Sequence, residues 1–135
     1  MPDKKLYRIL DANFNRAKEG LRVCEDVCRY VNNDKQLTRG FKDARHDLTG
    51  AVEALDILKA LAGRDIKGDI GRATSPSESR RKGIEAVFWA NAQRVKESLR
   101  VLEEISKLIN VKSAQRMKHL RYTVYDLEQK ALKKF

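Results

Sequence analysis

The sequence has little of what interrupts a helix. Its 135 residues include two prolines and seven glycines, and five of those glycines fall between residues 50 and 83. Proline removes a backbone donor and glycine disfavours helix by about 1 kcal/mol relative to alanine, so long helices with one main break are expected. There are two cysteines, Cys24 and Cys28, four residues apart. They exclude a disulfide framework and a C-x-x-C pair, and they read as small core residues in a reducing compartment. Two histidines, His46 and His119, are too few for a His/Cys cage, so no transition metal is expected. No apolar run approaches the roughly 20 residues of a membrane span. The start, Met-Pro-Asp-Lys-Lys, lacks the apolar stretch of a signal peptide. A cytoplasmic protein without membrane contact is the expectation. Gly-Lys-Ser and Gly-Lys-Thr are absent, which excludes a Walker A phosphate loop.

What is present is charge and repetition. Charged residues are 36% of the chain and hydrophobic residues 41%, with 29 basic against 19 acidic side chains and a net charge of +10. That balance attracts phosphorylated molecules, nucleic acid or acidic partners. The basic residues are interspersed with acids, however, and no dense basic stripe with interleaved aromatics occurs, so nucleic acid is the least favoured partner. Residues 12–31 (A-N-F-N-R-A-K-E-G-L-R-V-C-E-D-V-C-R-Y-V) align with residues 90–109 (A-N-A-Q-R-V-K-E-S-L-R-V-L-E-E-I-S-K-L-I), and nine of the twenty positions are identical. The identities are Ala12/Ala90, Asn13/Asn91, Arg16/Arg94, Lys18/Lys96, Glu19/Glu97, Leu21/Leu99, Arg22/Arg100, Val23/Val101 and Glu25/Glu103. Phe41-Lys42-x-x-Arg45 answers Met117-Lys118-x-x-Arg121. An internal repeat is two aligned sequences within one chain. Six of the nine identities are polar or charged, which a core alone does not demand.

Apolar residues alternate at spacings of four and three. They run Leu10, Phe14, Ala17, Leu21, Cys24, Cys28 and Val31; then Leu37, Phe41, Ala44, Leu48, Ala51, Leu55 and Leu58; then Phe88, Ala92, Val95, Leu99, Leu102 and Ile109; then Met117, Leu120, Val124, Leu127 and Ala131. These are four amphipathic helices. The expected fold is all-α: a four-helix bundle of two repeated hairpins, about 6–62 and 76–134, joined by a longer glycine-containing linker at 63–75. Ser75-Pro76-Ser77-Glu78 reads as the capped start of the third helix. A linker of this length is long for a bundle and has no counterpart in the repeat, so it is a candidate for function.

A second apolar strip runs Ile9, Ala12, Arg16, Gly20, Val23, Val27 and Tyr30, answered by Val87, Ala90, Arg94, Ser98, Val101, Ile105 and Leu108. Arg16 and Arg94 interrupt it with small residues around them. Two readings stand. In one, each arginine pairs with a glutamate of the bundle, with Glu19/Glu97 or Glu25/Glu103 at hand. In the other, each meets a phosphate or carboxylate of a ligand. The strip itself fits another helix, including one from a second subunit of a homodimer. Asn13 and Asn91 bond across the bundle or face the ligand. Arg22 and Arg100, one turn from Lys18 and Lys96, are further ligand candidates or simply solvated. In the linker, Asp65 and Asp69 are candidates to hold Mg²⁺ beside a phosphate. Ser75, Ser77 and the start of the third helix offer hydroxyls and free N–H groups to an anion.

Several stretches together resemble one known domain: D-A-N-F-N-R-A-K-E-G-L-R-V-C-E-D at 11–26, R-H-D-L at 45–48, R-D-x-x-x-D-x-G at 64–71, T-S-P-S-E at 74–78 and A-N-x-x-R-x-x-E-S-L-R-V-L-E-E at 90–104. This is the helical domain found N-terminal to the barrel of some bacterial thiamine phosphate synthases, or encoded separately, and proposed as an alternative hydroxymethylpyrimidine phosphate kinase. The resemblance implies thiamine biosynthesis, with a pyrimidine phosphate and ATP as ligands and a synthase on a separate chain as partner. A kinase would use Arg16, Arg94, Arg45 and Arg121 to clamp phosphates, Asp65 and Asp69 for Mg²⁺, and Glu19, Glu97 or His46 as base. A non-catalytic metabolite-binding or scaffolding module would need the arginines without the metal.

Overall fold

The computed structural model describes residues 3–76 and 80–135, leaving aside the side chains of residues 57–59. Ser77, a ligand candidate, and the side chain of Leu58 lie outside the described residues. The architecture is all-helical, with five helices packed as a bundle and no strand among the described residues. They are α1 (Lys4–Asp26), α2 (Lys35–Glu53), α3 (Ile57–Ala62), α4 (Gly83–Ser106) and α5 (Val111–Leu132), and a π-helical turn, Val27–Val31, extends α1. None is long and apolar enough to cross a membrane.

Both hairpin turns follow from side chains that can replace missing helix bonds. Asp34 accepts the N–H of Leu37 at 2.9 Å, and Asn110 accepts the N–H of Ser113 at 3.1 Å. Such N-caps contribute about 1 kcal/mol each. Asn33 takes a left-handed φ of 51° just before the first cap, a conformation asparagine tolerates better than most residues.

The helices form a ring in which α1 packs on α2 and α4, and α5 packs on α2 and α4. The alternating residues meet inside it. Phe41 of α2 and Phe88 of α4 are fully buried, edge to face at 5.9 Å. Cys24 and Cys28 are free and buried. Burial pushes both thiols up, Cys28 to about 11, so neither is a nucleophile at neutral pH. α1 and α4 run antiparallel, since Gly20 of α1 lies against Asn91 and Val95 while Cys24, further along, approaches the Phe88 carbonyl. A Cβ on Gly20 would stand 2.7 Å from Val95 Cγ2 and 3.1 Å from the Asn91 oxygen. Glycine therefore sets the closeness of the two repeats.

Two expectations about helix boundaries are corrected. The second helix does not run to residue 62. It stops at Glu53, Asp56 adopts φ 64°, and the chain restarts as α3. That break turns α3 back onto α1. The third long helix does not start at Pro76. It begins at Gly83, with Lys82 at the cap and Glu85 in its first turn. Arg80, Arg81 and Lys82 precede it, and three cations within its first turns would oppose the positive end of the helix dipole.

Candidate functional site

The break at Asp56 places the linker. After α3, Gly63 lies against the backbone of α1, where a Cβ would meet the Arg8 nitrogen at 3.2 Å and the Lys4 oxygen at 3.3 Å. Only glycine approaches that closely without displacement. The next residue, Arg64, then reaches α1 and grips Asp11 with two parallel bonds: Nε to Oδ2 at 2.8 Å and Nη2 to Oδ1 at 2.9 Å. Asp11 is buried, and it holds the Arg64 guanidinium above its ordinary pKa by hydrogen bond and charge. Asn15 donates to Asp11 Oδ1 at 3.2 Å from one turn away. Arg8 adds a looser contact to Asp65 at 3.9 Å.

This clasp encloses a groove of about 710 Å³ between α1 and the linker. From α1 it is lined by Lys5, Arg8, Ile9, Asp11, Ala12, Asn13, Asn15, Arg16 and Glu19, and from the linker by Arg64, Asp65, Ile66 and Asp69. Four cations face four carboxylates. A second hollow of about 440 Å³, at the start of α1, shares Lys5, Arg8, Arg64 and Asp65 with it. The linker is internally braced: Asp65 Oδ1 accepts the Gly68 N–H at 2.8 Å and Asp69 Oδ1 the Gly71 N–H at 2.9 Å. A Cβ on Gly68 would press on the Asp65 carboxylate.

Of the residues singled out in the sequence, the groove brings together Asn13, Arg16, Glu19, Asp65 and Asp69. The others go elsewhere. Arg45 and Arg121 grip buried glutamates: Arg45 Nη2 to Glu25 at 3.2 Å and Arg121 Nη2 to Glu103 at 3.1 Å. Arg22 and Arg100 approach the same two glutamates from the next turn, at 3.9 and 3.1 Å. Each half thus buries one glutamate between two arginines, because a carboxylate inside a bundle needs paired charge. These four arginines are each tied to a buried glutamate. Glu97 bonds Gln93 at 3.0 Å and lines a separate hollow of about 490 Å³ with Lys96, Arg100, Arg121 and Tyr125. Lys96 there is tied to Glu128 at 2.8 Å. Asn13 and Asn91 each return a side-chain N–H to their own helix, at Ile9 and Val87. Arg94 is exposed on α4, and His46 is exposed on α2 away from the groove. Ser75 is half-buried and lies outside the groove.

Sequence reasoning missed Asp11, Asn15, Arg64, Arg8 and Lys5. One signal was available. Asp11 and Asn15 stand where the second half has Trp89 and Gln93, so the clasp is built where the repeat diverges.

Among the described residues no cluster of three or more His, Cys, Asp or Glu could cage a metal. Asp65 and Asp69 each commit one oxygen to a turn. Mg²⁺ is commonly held by one or two carboxylates together with waters and substrate phosphates, and the linker acids fit that mode.

A model of the ThiD2 family matches residues 8–130. The chain belongs to the ThiD2 family. It is also similar to proteins named thiamine-phosphate synthase: 47% identical over 124 residues to one from a Nostoc species, 44% over 127 residues in Thermosynechococcus vestitus and 37% over 123 residues in Rhodopirellula baltica. These alignments take in 91%, 93% and 90% of this chain but 34%, 35% and 33% of the relatives, so this ThiD2 chain spans about a third of their length. No solved structure matches it. The matches support a thiamine-biosynthesis domain.

Proposed function

We propose that this ThiD2 chain is a small-molecule phosphotransferase that phosphorylates hydroxymethylpyrimidine phosphate with ATP, and that the groove between α1 and the linker is where it does so. The observation that carries the reading is the Asp11–Arg64 clasp. It joins the long linker, which has no counterpart in the repeat, to positions of α1 where the halves differ, and it sets cations and carboxylates around one groove.

The chemistry asks little of a base. The acceptor is a phosphate monoester, whose second pKa is about 6, so its oxygen is already ionised at neutral pH. That oxygen attacks the γ-phosphorus of ATP. The bond from phosphorus to the β,γ-bridging oxygen breaks, and ADP leaves with the electron pair. Positioning and charge neutralisation then supply most of the catalysis. Arg8, Arg16 and Arg64 neutralise phosphoryl oxygens. Asp65 and Asp69 would hold the Mg²⁺ that accompanies ATP, which neutralises phosphate charge when bound. Glu19 is available for orientation rather than proton removal.

A second reading, a metabolite-binding module serving the synthase without chemistry of its own, is favoured by one observation: the chain corresponds to about a third of proteins named for the synthase. One experiment separates the two. ADP release is followed with hydroxymethylpyrimidine phosphate, ATP and Mg²⁺, beside a thermal-shift titration of each ligand. The kinase predicts turnover that needs all three and is lost in Arg64→Met. A shift with the pyrimidine phosphate and no ADP release supports the binding module. No shift and no turnover at millimolar ligand overturn both.

A further inference from the structure

Arg16 and Arg94 hold matching positions in the two halves, yet the ion pairs expected for them are not formed. The buried glutamates are taken by Arg45 and Arg121. Among the described residues neither Arg16 nor Arg94 has a hydrogen bond or ion pair, and both are exposed. Exposed cations without partners are common. What separates these two is their place. Arg16 lies one helical turn before Gly20, which touches Asn91 and Val95 of α4. Arg94 is next to that Val95 and one turn before the buried Ser98. Residues four apart share a helix face, so both arginines rise on the sides where α1 and α4 meet, within a turn of the closest approach. Arg16 also lines the groove.

Unpaired cations on the two helices of one seam repel each other unless an anion sits between them. We infer that Arg16 and Arg94 form a subsite across the α1–α4 seam for the second phosphoryl group of a diphosphate or polyphosphate chain. This rests on the reading of the groove as a phosphate site. The groove holds one phosphoryl group beside Arg8 and Arg64, and the seam holds the next between Arg16 and Arg94. The ligand class is therefore a molecule with at least two linked phosphoryl groups, and a monophosphate reaches only the groove.

The test is calorimetric titration of the full chain with inorganic pyrophosphate and, separately, with hydroxymethylpyrimidine phosphate. Arg94→Met should weaken pyrophosphate at least about tenfold, the scale of one lost charge-assisted contact, and leave the monophosphate within about twofold. Arg94→Lys should recover part of the loss. Lys42→Met, on α2, removes the same charge away from the seam and should change neither. Circular dichroism confirms that each variant is folded. The proposal is overturned if Arg94→Met and wild type bind pyrophosphate alike, if Lys42→Met weakens it equally, or if wild type binds none. Pyrophosphate binding that depends on Arg94, without any binding of the pyrimidine phosphate, would uphold the subsite while removing the pyrimidine from the groove.

Discussion

The two halves of the bundle agree where the buried glutamates are paired and differ where the Asp11–Arg64 clasp lies. Glu25 with Arg45 and Arg22 is repeated as Glu103 with Arg121 and Arg100, down to which helix supplies each partner. Asn13 and Asn91 make the same bond to their own helix. By contrast, Asp11 is matched by Trp89, whose ring lies edge to face with Phe88 and beside Phe135, and Asn15 is matched by Gln93. The lesson reverses a natural first inference. Polar identity between repeats marks, in large part, the charges that a bundle must bury and pair. Difference between repeats marks the place where the linker is clasped to one half.

The comparison is broken most forcefully at the buried glutamates. Removing one partner of a buried ion pair costs about 3–5 kcal/mol. Arg45 and Arg121 keep 15% and 11% of their side chains exposed, so the lower end is expected. Glu25→Ala and Glu103→Ala should each lose about 3 kcal/mol of unfolding free energy in urea, and by similar amounts. Arg22→Met and Arg100→Met, at positions more than half exposed, should each lose under about 1 kcal/mol. A loss below about 1 kcal/mol for Glu103→Ala alone would mean that the halves do not share one design.

A smaller effect sharpens the same comparison at the seam. Gly20 and Ser98 are repeat partners, but the Cβ of an alanine at Gly20 would press on Val95 and the Asn91 carbonyl. Gly20→Ala should destabilise by about 1–3 kcal/mol, as overpacking does. Ser98→Ala, where a Cβ is already accommodated, should stay within about 1 kcal/mol. Equal effects in thermal unfolding would show that the seam yields at Gly20.

How much of this was legible follows from the kind of signal involved. The four long helices, hairpin pairing and most of the core come from spacing, and spacing is written directly in residues such as Leu10, Ala17, Leu21 and Cys24. The break at Asp56 was hidden because Leu55 and Leu58 continue the periodic pattern, while a left-handed aspartate leaves no mark in it. The delayed start of α4 was hidden by a plausible cap at Ser75-Pro76. The groove was half legible. Arg16, Asp65 and Asp69 could be singled out as charged residues in unusual places. Asp11 and Arg64 could not be joined, because their contact spans 53 positions and depends on where the chain turns after α2.

The subtlest difference between the hairpins is in their caps. Asp34 caps α2 and can titrate; Asn110 caps α5 and cannot. In the folded protein the Leu37 N–H above all, and then the Lys134 ammonium at 3.1 Å, hold the Asp34 carboxyl below its ordinary value of 3.8, against the opposing effect of partial burial. A carboxylate with a depressed folded pKa contributes stability that is present above the unfolded pKa and lost as pH falls through the folded value. The loss should therefore begin near pH 4 and continue below it. At pH 7, Asp34→Asn should be close to neutral, because asparagine caps about as well as aspartate. Between pH 6 and 3, wild type should lose up to about 1 kcal/mol more than Asp34→Asn in urea. Asn110→Asp should import a similar acid dependence into the second hairpin. Parallel pH profiles for wild type and Asp34→Asn would show that the first cap adds nothing that protonation can remove.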